Sequence, residues 1–401
     1  EGGRGCSRHS VHDLTTLGCQ QIHDGDDPLT LQARGYQIDA KAAVLAHFAT
    51  DLSKSKGALV VSATGTGKTL LAHMVIDDFI RAGKRVLWLA HRSELVDQAR
   101  ATLLQWYPGV QSGVIMQRHN DVSAQVVYAS KDTLRQPKRL AQYLEHGYPD
   151  IIIVDEAHHS SSATWRKLLN ALRGPGTRYV GLTATPDRSD TNNLSDIWEM
   201  VFAFGIMDGI ACDALVPPYS AVDLIPGMEE QMAGVAVSKG DYDAGETETV
   251  LLRNHIVEKT VAAIEKMHRF VRLPLREDEC EACVKGMAGL VFTVTVKQAE
   301  QTAAALIKKG YRARYVWGDM PDADRKRIIA LFREGELDIL VNAGLLTEGT
   351  DLPRAKWAVL ARPTRSWTLF VQIVGRILRP CPGHDRAYLI ALCGASLEHS
   401  I

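Results

Sequence analysis

The stretch VVSATGTGKTLL, residues 60–71, decides the fold. An apolar run leads into a loop with two glycines, a lysine and a threonine, and an amphipathic segment follows. The stretch matches the phosphate-binding pattern GxxxxGK[ST], except that Ser62 stands where the pattern has its first glycine. The spacing predicts a buried strand over residues 58–62, a loop, and a helix over residues 70–81. This order of strand, loop and helix is the context in which such a loop binds phosphate.

Each residue type in this loop is suited to binding a nucleoside triphosphate. The glycines let the backbone curl so that its N–H groups point at phosphate oxygens, and the helix that follows adds its positive end. The lysine reaches the β- and γ-phosphates, and the threonine after it ligates Mg²⁺. The alternative is a glycine-rich turn without a ligand. The predicted ATP contacts of the loop are Thr64, Gly65, Thr66, Gly67, Lys68 and Thr69, with Thr69 also a Mg²⁺ ligand.

Composition limits the kind of protein. The chain has 401 residues, of which 46% are hydrophobic and 23% charged, as in a globular protein of two or three domains. No apolar run approaches the length of a membrane span, and no signal-peptide pattern is visible. Seven cysteines favour reduced thiols and a cytoplasmic location. Glu1 at the start is consistent with a fragment or a processed chain. Because the formal net charge is −1, any nucleic-acid site must be a local basic surface.

Apolar and amphipathic segments alternate in two blocks, which predicts an α/β protein with two mostly parallel sheets flanked by helices. A flexible tail is expected over residues 1–27, the first domain over 28–216 and the second over 288–401. Between them lies an irregular connecting segment, residues 217–287, with an acidic stretch at 240–248 and a predicted helix at 248–270. Further strands are predicted at 86–90, 126–129, 151–154, 179–182, 290–293, 313–317, 339–341, 357–361 and 387–391. Further helices are predicted at 297–309, 322–333 and 368–378.

Two more strands end in polar residues. IIIVDEAHHS, residues 151–160, carries Asp155 and Glu156 at the edge where α/β sheets bind ligands. Asp155 is predicted to hold Mg²⁺ through its hydration shell, and Glu156 to orient and deprotonate the attacking water. In GLTATPDR, residues 181–188, Thr183 and Thr185 are able to hydrogen-bond to these acids. In isolation that segment favours a Thr-capped turn before a proline.

A pair of arginines lies in the second block. In QIVGRILRP, residues 372–380, Arg376 and Arg379 are three apart and are predicted to share one helical face. Two guanidinium groups suit a triphosphate, and an arginine that reaches the γ-phosphate from another domain stabilises the transition state. The alternative is a solvated basic helix face. Both arginines are predicted to be catalytic.

Together these motifs resemble those of superfamily 2 helicases of the DEAH type. Motif I matches residues 62–69, and in that family the first loop glycine is often replaced. Motif II matches residues 155–158, motif III 183–185, motif V 347–353 (TEGTDLP) and motif VI 372–379. RGYQ (34–37) resembles the adenine-reading element, and LWLAHRSELVDQA (87–99) and VVYASKDTL (126–134) resemble strand-contact motifs. The stretch ARPTRSWTLFVQIVGRILRP, residues 361–380, most resembles type III restriction helicase subunits and RadD-type repair helicases.

The resemblance implies two RecA-like lobes with ATP and Mg²⁺ between them and nucleic acid across both. It implies that Gln37 reads adenine and that Gly349 and Asp351 sense both the nucleotide and the nucleic-acid strand. It assigns coupling between the sites to His158, Thr183, Thr185 and Gln372. The residues that it implies contact the nucleic-acid strand, mainly through phosphates, are Arg92, Ser130, Lys131, Thr293 and Thr347. Trp317 and Trp367 could stack on bases, but packing is favoured because each adjoins an apolar run.

Cysteines offer a separate metal hypothesis. CSRHSVHDLTTLGC, residues 6–19, places Cys6, His9, His12 and Cys19 at spacings that zinc accepts, although within a low-complexity tail. CEAC, residues 280–283, adds Cys280 and Cys283 without evident partners. Zinc is therefore a weak alternative beside ATP and Mg²⁺.

Three functions are consistent with these motifs. The first is an ATP-driven DNA translocase or helicase of restriction or repair type, and the second is an RNA helicase. The third is an ATP-binding switch or scaffold on nucleic acid that moves nothing, which the complete set of hydrolytic residues disfavours. No nuclease-type cluster is evident, so cutting would need a nuclease or repair-complex partner. No membrane partner is expected.

Overall fold

A computed structural model describes residues 33–49, 56–186, 194–222, 225–238, 241–271, 287–344, 352, 354–381 and 385–393. Their strands form an eight-stranded sheet, a six-stranded sheet and a two-stranded hairpin. We call the eight-stranded sheet with its helices the first lobe, and the six-stranded sheet with its helices the second lobe. The prediction of two mostly parallel sheets flanked by helices is confirmed.

The first lobe contains eight strands in the order β4-β3-β5-β2-β6-β7-β1-β8. Only the edge pair β3–β4 is antiparallel. Its strands are β1 (Gly57–Ser62), β2 (Val86–Ala90), β3 (Ser112–Met116), β4 (His119–Asn120), β5 (Val126–Ser130), β6 (Ile151–Asp155), β7 (Arg178–Thr183) and β8 (Trp198–Phe204). Strands β1, β2 and β6 are buried along their whole length, because helices cover both faces.

Helices of the first lobe connect these parallel strands. They are α1 (Gly35–Phe48), α2 (Lys68–Arg81), α3 (Ser93–Trp106), α4 (Lys131–Leu134), α5 (Pro137–Glu145) and α6 (Ala163–Ala171), with 3₁₀ turns at Ala157–Ser161 and Leu194–Asp196. A short helix, α7 (Ile206–Ala211), follows β8 and leads towards the second lobe.

The second lobe has six parallel strands in the order β13-β14-β12-β15-β16-β9. They are β9 (Pro218–Val222), β12 (Gly289–Thr293), β13 (Ala313–Trp317), β14 (Ile339–Ala343), β15 (Trp357–Leu360) and β16 (Ala387–Ala391). The hairpin is β10 (Val237–Ser238) with β11 (Asp241–Tyr242). The helices are α8 (Met228–Ala233), α9 (Ala244–Arg253), α10 (Ile256–Val271), α11 (Val296–Lys308), α12 (Asp322–Glu334) and α13 (Trp367–Val374).

Much of the expected connecting segment is built into the second lobe. Strand β9 pairs in parallel with β16 along the edge of the sheet, an edge position that tolerates Pro218. Side chains of α8 and α10, such as Met232 and Ile264, pack in the same core as Val291 and Trp357 of the sheet. Within the described residues, this segment therefore extends the second sheet and covers one of its faces.

Two predicted helices differ from the structure. The single helix expected over 248–270 is wrong, because the chain forms α9 and α10 with His255 between them at a φ of 55°. A left-handed residue ends a helix. The helix expected over 368–378 ends at Val374, after which Arg376 N donates to the Ile373 carbonyl (3.1 Å) in a tighter turn. Arg376 and Arg379 therefore follow α13 instead of sharing its face.

None of the helices in the described ranges combines the length and apolar character that a membrane crossing requires.

Candidate nucleotide site between the two lobes

The phosphate-binding loop has the backbone that its glycines predict. Gly65 has a φ of +93° and Gly67 a φ of +81°, conformations in which a side chain would be strained. Gly67 precedes α2, so the positive end of that helix lies at the loop. Lys68 Nζ donates to the carbonyl of Ser62 (3.0 Å). Burial lowers the pKa of Lys68, while Glu156 and Asp155 raise it.

Ser62 is the last residue of β1, and its hydroxyl has a role within the loop. The Thr66 hydroxyl donates to the carbonyl of Ala63 (2.6 Å), which leaves it to accept from the Ser62 hydroxyl, also at 2.6 Å. Positive φ in the loop falls on the two later glycines. A glycine is therefore not required at position 62, and a serine there ties the two ends of the loop together.

Two carboxylates lie at the end of β6, beside the loop. Asp155 Oδ1 accepts from the backbone N–H of Glu156 (3.0 Å), which fixes the orientation of the aspartate. Glu156 is buried and has a φ of 51°, a conformation that costs a non-glycine residue about 1–2 kcal/mol. The chain enters the 3₁₀ turn Ala157–Ser161 at this point. The turn places both carboxylates in the same cavity as Lys68.

Behind the acids lies a buried hydrogen-bonded group. His158 Nδ1 lies 3.0 Å from the hydroxyl of Thr183 and 3.4 Å from Oε2 of Glu156. The Thr183 hydroxyl in turn lies 3.0 Å from the carbonyl of Thr185. Three of the predicted coupling residues thus form a chain of contacts that runs from Glu156 through His158 and Thr183 to Thr185. The fourth, Gln372, is buried in α13 of the second lobe.

The second lobe reaches the loop directly. A Cβ added to Gly375 would lie 2.5 Å from Cβ of Thr64, so only glycine permits this approach. A Cβ on Gly65 would lie 3.0 Å from Cγ of Arg379. Arg376 is buried, and burial lowers the pKa of Arg379 to about 10, a value at which the group remains charged at neutral pH. Both arginines line the same cavity as the loop.

That cavity has a volume of about 380 Å³ and lies between the lobes. Among its lining residues are the predicted ones Thr64, Gly65, Gly67, Lys68, Thr69, Asp155, Glu156, Arg376 and Arg379. Sequence reasoning missed Arg34, Leu95, Gln98 and Thr102, which also line it. Gln98 and Thr102 are four apart on α3, so they share a face. A polar i, i+4 pair that begins at the end of the motif over residues 87–99 was the signal available in the sequence.

Gln37 is also part of the site, through the backbone of the loop. Its Nε2 donates to the carbonyl of Thr66 (3.1 Å), and its Oε1 accepts from the N–H of Arg34 (3.0 Å). Tyr36 donates to the same Thr66 carbonyl (2.6 Å) and stacks on Phe204 at 4.0 Å. The helix α1 is thereby fixed against the loop, and adenine recognition by Gln37 stays a prediction.

The donor set is suited to a nucleotide-bound Mg²⁺. Within the described ranges no group of three or more His, Cys, Asp or Glu side chains could hold a metal by itself. Mg²⁺ in triphosphate sites needs fewer protein ligands, because phosphate oxygens and water complete its shell. Thr69 and Asp155, which both line the cavity, supply one hydroxyl and one carboxylate. They would hold the ion beside the phosphates.

The residues that were predicted to contact a nucleic-acid strand lie in different environments. Arg92 precedes α3, with its Nε 3.2 Å from Nε2 of His91. Ser130 ends β5, and Lys131 forms an ion pair with Asp132 (3.0 Å). Thr293 is only 1% exposed and donates to the carbonyl of Asn342 (3.0 Å), so its hydroxyl holds the end of β12 and does not face solvent.

The tryptophans divide between packing and exposure. Trp317 packs against the core of the second lobe, as expected. Trp367, for which packing was also favoured, is 44% exposed at the start of α13, which differs from that expectation.

The predicted motif V residues Thr347, Gly349 and Asp351 lie outside the described residues, as do the cysteine and histidine candidates for zinc, Cys6, His9, His12, Cys19, Cys280 and Cys283.

Comparison with known proteins agrees with this geometry. Residues 30–188 match the family model "Type III restriction enzyme, res subunit", and residues 266–381 match "Helicase conserved C-terminal domain". The chain is 28% identical over 352 residues to a Saccharomyces cerevisiae protein named as the ATP-dependent helicase IRC3. That match covers 83% of this chain and 48% of the relative.

Two solved structures share the fold. One is a fragment assigned as the HsdR subunit of a type I restriction enzyme from Vibrio vulnificus YJ016, with a TM-score of 0.67, 23% identity, and coverage of 92% of this chain and 65% of that one. The other is the ATP-dependent type ISP restriction-modification enzyme LlaBIII bound to DNA, with a TM-score of 0.60, 18% identity, and coverage of 90% and 27%.

The two lobes are therefore RecA-like domains, and the candidate nucleotide cavity lies between them. The chain therefore combines a domain of the type III restriction res-subunit kind with a conserved C-terminal helicase domain, the pair of domains that characterises the ATP-hydrolysing helicases of superfamily 2. It spans about half the length of the curated relative that it matches.

Proposed function

We propose that this chain is the motor of an ATP-dependent DNA translocase or helicase, and that it hydrolyses ATP at the interface of its lobes. One observation carries the proposal. Lys68 and the carboxylates of Asp155 and Glu156, from the first lobe, line one cavity together with Arg376 and Arg379 from the second. Hydrolysis at such a cavity depends on the distance between the lobes, and a distance that changes through each cycle can be converted into movement.

Each residue has a proposed role in that chemistry. The loop N–H groups and Lys68 bind the phosphates, and Thr69 and Asp155 hold Mg²⁺, which neutralises charge that develops on the phosphate oxygens. Glu156 receives a proton from the attacking water. Arg376 and Arg379 stabilise the transition state, and their position in the second lobe makes hydrolysis sensitive to closure.

DNA is favoured over RNA on family grounds. The first domain matches the model of a restriction-enzyme subunit, and restriction enzymes act on DNA. LlaBIII, whose solved structure shares the fold, is bound to DNA there. In the proposed reaction the strand contacts both lobes through its phosphates, and that binding energy favours the closed cleft.

The test is ATP turnover titrated with single-stranded DNA, duplex DNA, forked DNA and RNA of matched sequence, at two salt concentrations. We expect low turnover alone, a larger increase with DNA than with RNA, and a steep loss of the increase at high salt, because the contacts are ionic. Stimulation by RNA alone would favour the RNA helicase. Turnover that no nucleic acid changes would favour the switch or scaffold.

A further inference from the structure

The acidic stretch at 240–248 is a feature that the nucleotide site does not explain. Glu248 accepts from the hydroxyl of Thr295 (2.6 Å), and two of the other described acids make contacts within or near α9. Asp243 caps that helix by accepting from the N–H groups of Gly245 and Glu246, both at 3.0 Å. Glu246 accepts from the backbone of Ala236 (2.8 Å). Asp241 differs, because its contacts lie more than 100 residues further along the chain.

Asp241 holds the loop that follows β15. Its Oδ2 accepts from Arg362 Nη2 (2.9 Å) and from the hydroxyl of Thr364 (3.0 Å). Its Oδ1 accepts from the backbone N–H of Arg365 (2.9 Å). The guanidinium of Arg365 also lies over the ring of Tyr242 at 6.0 Å. One carboxylate thus fixes two side chains and one backbone group of residues 362–365, and charge-assisted bonds of this kind are the stronger ones.

From this loop a chain of hydrogen bonds continues into α13. The Thr364 hydroxyl accepts from the N–H of Ser366 (3.1 Å), and the Ser366 hydroxyl accepts from the N–H of Leu369 (3.3 Å). The second of these bonds caps α13 at its first turn. Eight residues of helix then lead to Gly375, which lies against the phosphate-binding loop. The position of Arg376 in the cavity follows from where this short helix begins.

We propose that Asp241 is a positioning residue for ATP hydrolysis, which sets the start of α13 and through it the placement of Arg376 and Arg379. Asp241 does not line the nucleotide cavity and has no direct part in the chemistry. The inference rests on the proposed catalytic roles of the two arginines. Because those roles concern the transition state, loss of Asp241 should lower kcat and leave nucleotide binding unchanged.

The test compares Asp241→Ala with Asp243→Ala, a matched control in the same stretch. Each variant is assayed for kcat, KM for ATP, affinity for a fluorescent ADP analogue and melting temperature, and kinetics are measured well below every melting temperature. We expect Asp241→Ala to lower kcat about tenfold or more, because a small displacement of a catalytic group is costly, with affinity within about twofold of wild type. Asp243→Ala removes a helix cap and should lower the melting temperature alone.

Two further variants keep the test decisive. Asp241→Asn retains an acceptor for Arg365 and should give an intermediate kcat, even if Asp241→Ala folds poorly. Arg376→Ala in the same assay separates the two proposals. If Arg376→Ala loses turnover while a folded Asp241→Ala keeps wild-type kcat, the positioning role is wrong and the proposed function stands. If Arg376→Ala keeps wild-type kcat, the assignment of the arginine itself fails. Equal losses of kcat in Asp241→Ala and Asp243→Ala would also overturn the positioning role.

Discussion

Lys68 has its ammonium group inside the phosphate-binding loop, 3.0 Å from a carbonyl of β1 and between the acids of β6 and the arginines of the second lobe. Its neighbours therefore include both signs of charge. Burial is the largest influence on its pKa and lowers it, whereas Glu156 and Asp155 act in the opposite direction. A bound triphosphate would add negative charge beside the ammonium group and favour its protonated form.

We expect Lys68→Ala to lose ATP binding and to lower kcat/KM by about two to three orders of magnitude. The loop backbone remains, but the positive charge that faces the β- and γ-phosphates is gone. Nucleotide affinity by fluorescence and turnover by phosphate release measure the two effects. Lys84→Ala, which removes an exposed lysine paired with Asp150 away from the cavity, is the control. Turnover at the wild-type level in Lys68→Ala would contradict the loop assignment.

Glu156 should respond differently from Lys68. Glutamine preserves the size of the side chain but accepts no proton, so we expect Glu156→Gln to bind ATP normally and hydrolyse it about 10²–10⁴-fold more slowly. Single-turnover hydrolysis and equilibrium ATP binding separate these quantities. A variant that loses affinity while its residual hydrolysis rate stays near normal would show that Glu156 is a binding residue instead of a base.

At the scale of the element, the loop between β1 and α2 shows why its glycines are not equivalent. Gly67 combines a φ of +81° with a Cβ position 2.6 Å from Nε2 of Gln37, so any side chain is strained and displaces the end of the Gln37 side chain. Ser62 has neither restriction. We expect Gly67→Ala to abolish nucleotide binding, and Ser62→Gly to retain it with a loss of about 1 kcal/mol in the free energy of unfolding from the missing hydroxyl bond.

Nucleotide affinity and denaturant unfolding of the two loop variants check this contrast. Ser62→Gly restores the common form of the phosphate-binding pattern, so the pattern alone would predict an increase in stability. An increase in stability with Ser62→Gly, or normal affinity with Gly67→Ala, would show that the described loop geometry is not the one that binds nucleotide.

Local sequence predicts some elements of this fold and not others. Strands β1 and β6 and their polar ends were predictable because an apolar run followed by Gly-Lys-Thr or Asp-Glu is a local pattern. Strands β3, β8 and β9 were missed. Strand β8 is buried only at its two ends and is placed by pairing with β1, and β9 begins at a proline and is placed by pairing with β16. Such pairings between distant segments leave no local signal.

The residues of the candidate site also divide into those that local sequence predicts and those that it does not. The residues that lie in motifs, such as Lys68 and Glu156, were predictable one by one. Their convergence with Arg376 across the cleft was expected only from the family resemblance. Asp241 could not be found from sequence, because nothing in its neighbourhood indicates that its carboxylate accepts hydrogen bonds from residues 362–365.

At the scale of the whole molecule, a second contact joins the lobes beside the nucleotide cavity. Arg325 of α12 is buried and pairs with Glu94 of α3. Lys326 pairs with Asp97 of the same helix at 3.0 Å, and both of these side chains are largely exposed. The helix α3 also lines the cavity with Gln98 and Thr102. The two ion pairs therefore join the lobes on the side of the cavity that α3 lines, and the buried pair is the one expected to stabilise their closed arrangement.

We expect Arg325→Ala to raise KM for ATP about 5- to 150-fold, equivalent to about 1–3 kcal/mol of lost stabilisation of the closed lobes, because a buried charge-assisted bond is broken. Lys326→Ala, from the next residue, is the matched control and should change KM little, since exposed pairs contribute about 0–1 kcal/mol. Melting curves show whether both variants are folded. Equal KM values in Arg325→Ala and wild type would mean that this contact does not contribute to closure.

Hydrolysis at the interface of the lobes is the central claim, and the DNA-stimulated ATP turnover of Arg376→Ala tests it most directly. Wild type and Arg376→Ala are measured with saturating ATP, with and without single-stranded DNA. We expect DNA to raise the wild-type rate, and the variant to bind nucleotide and DNA yet lose about 10³–10⁵-fold in the stimulated rate, as for other transition-state arginines. A variant that DNA stimulates to the wild-type rate would contradict hydrolysis that depends on both lobes.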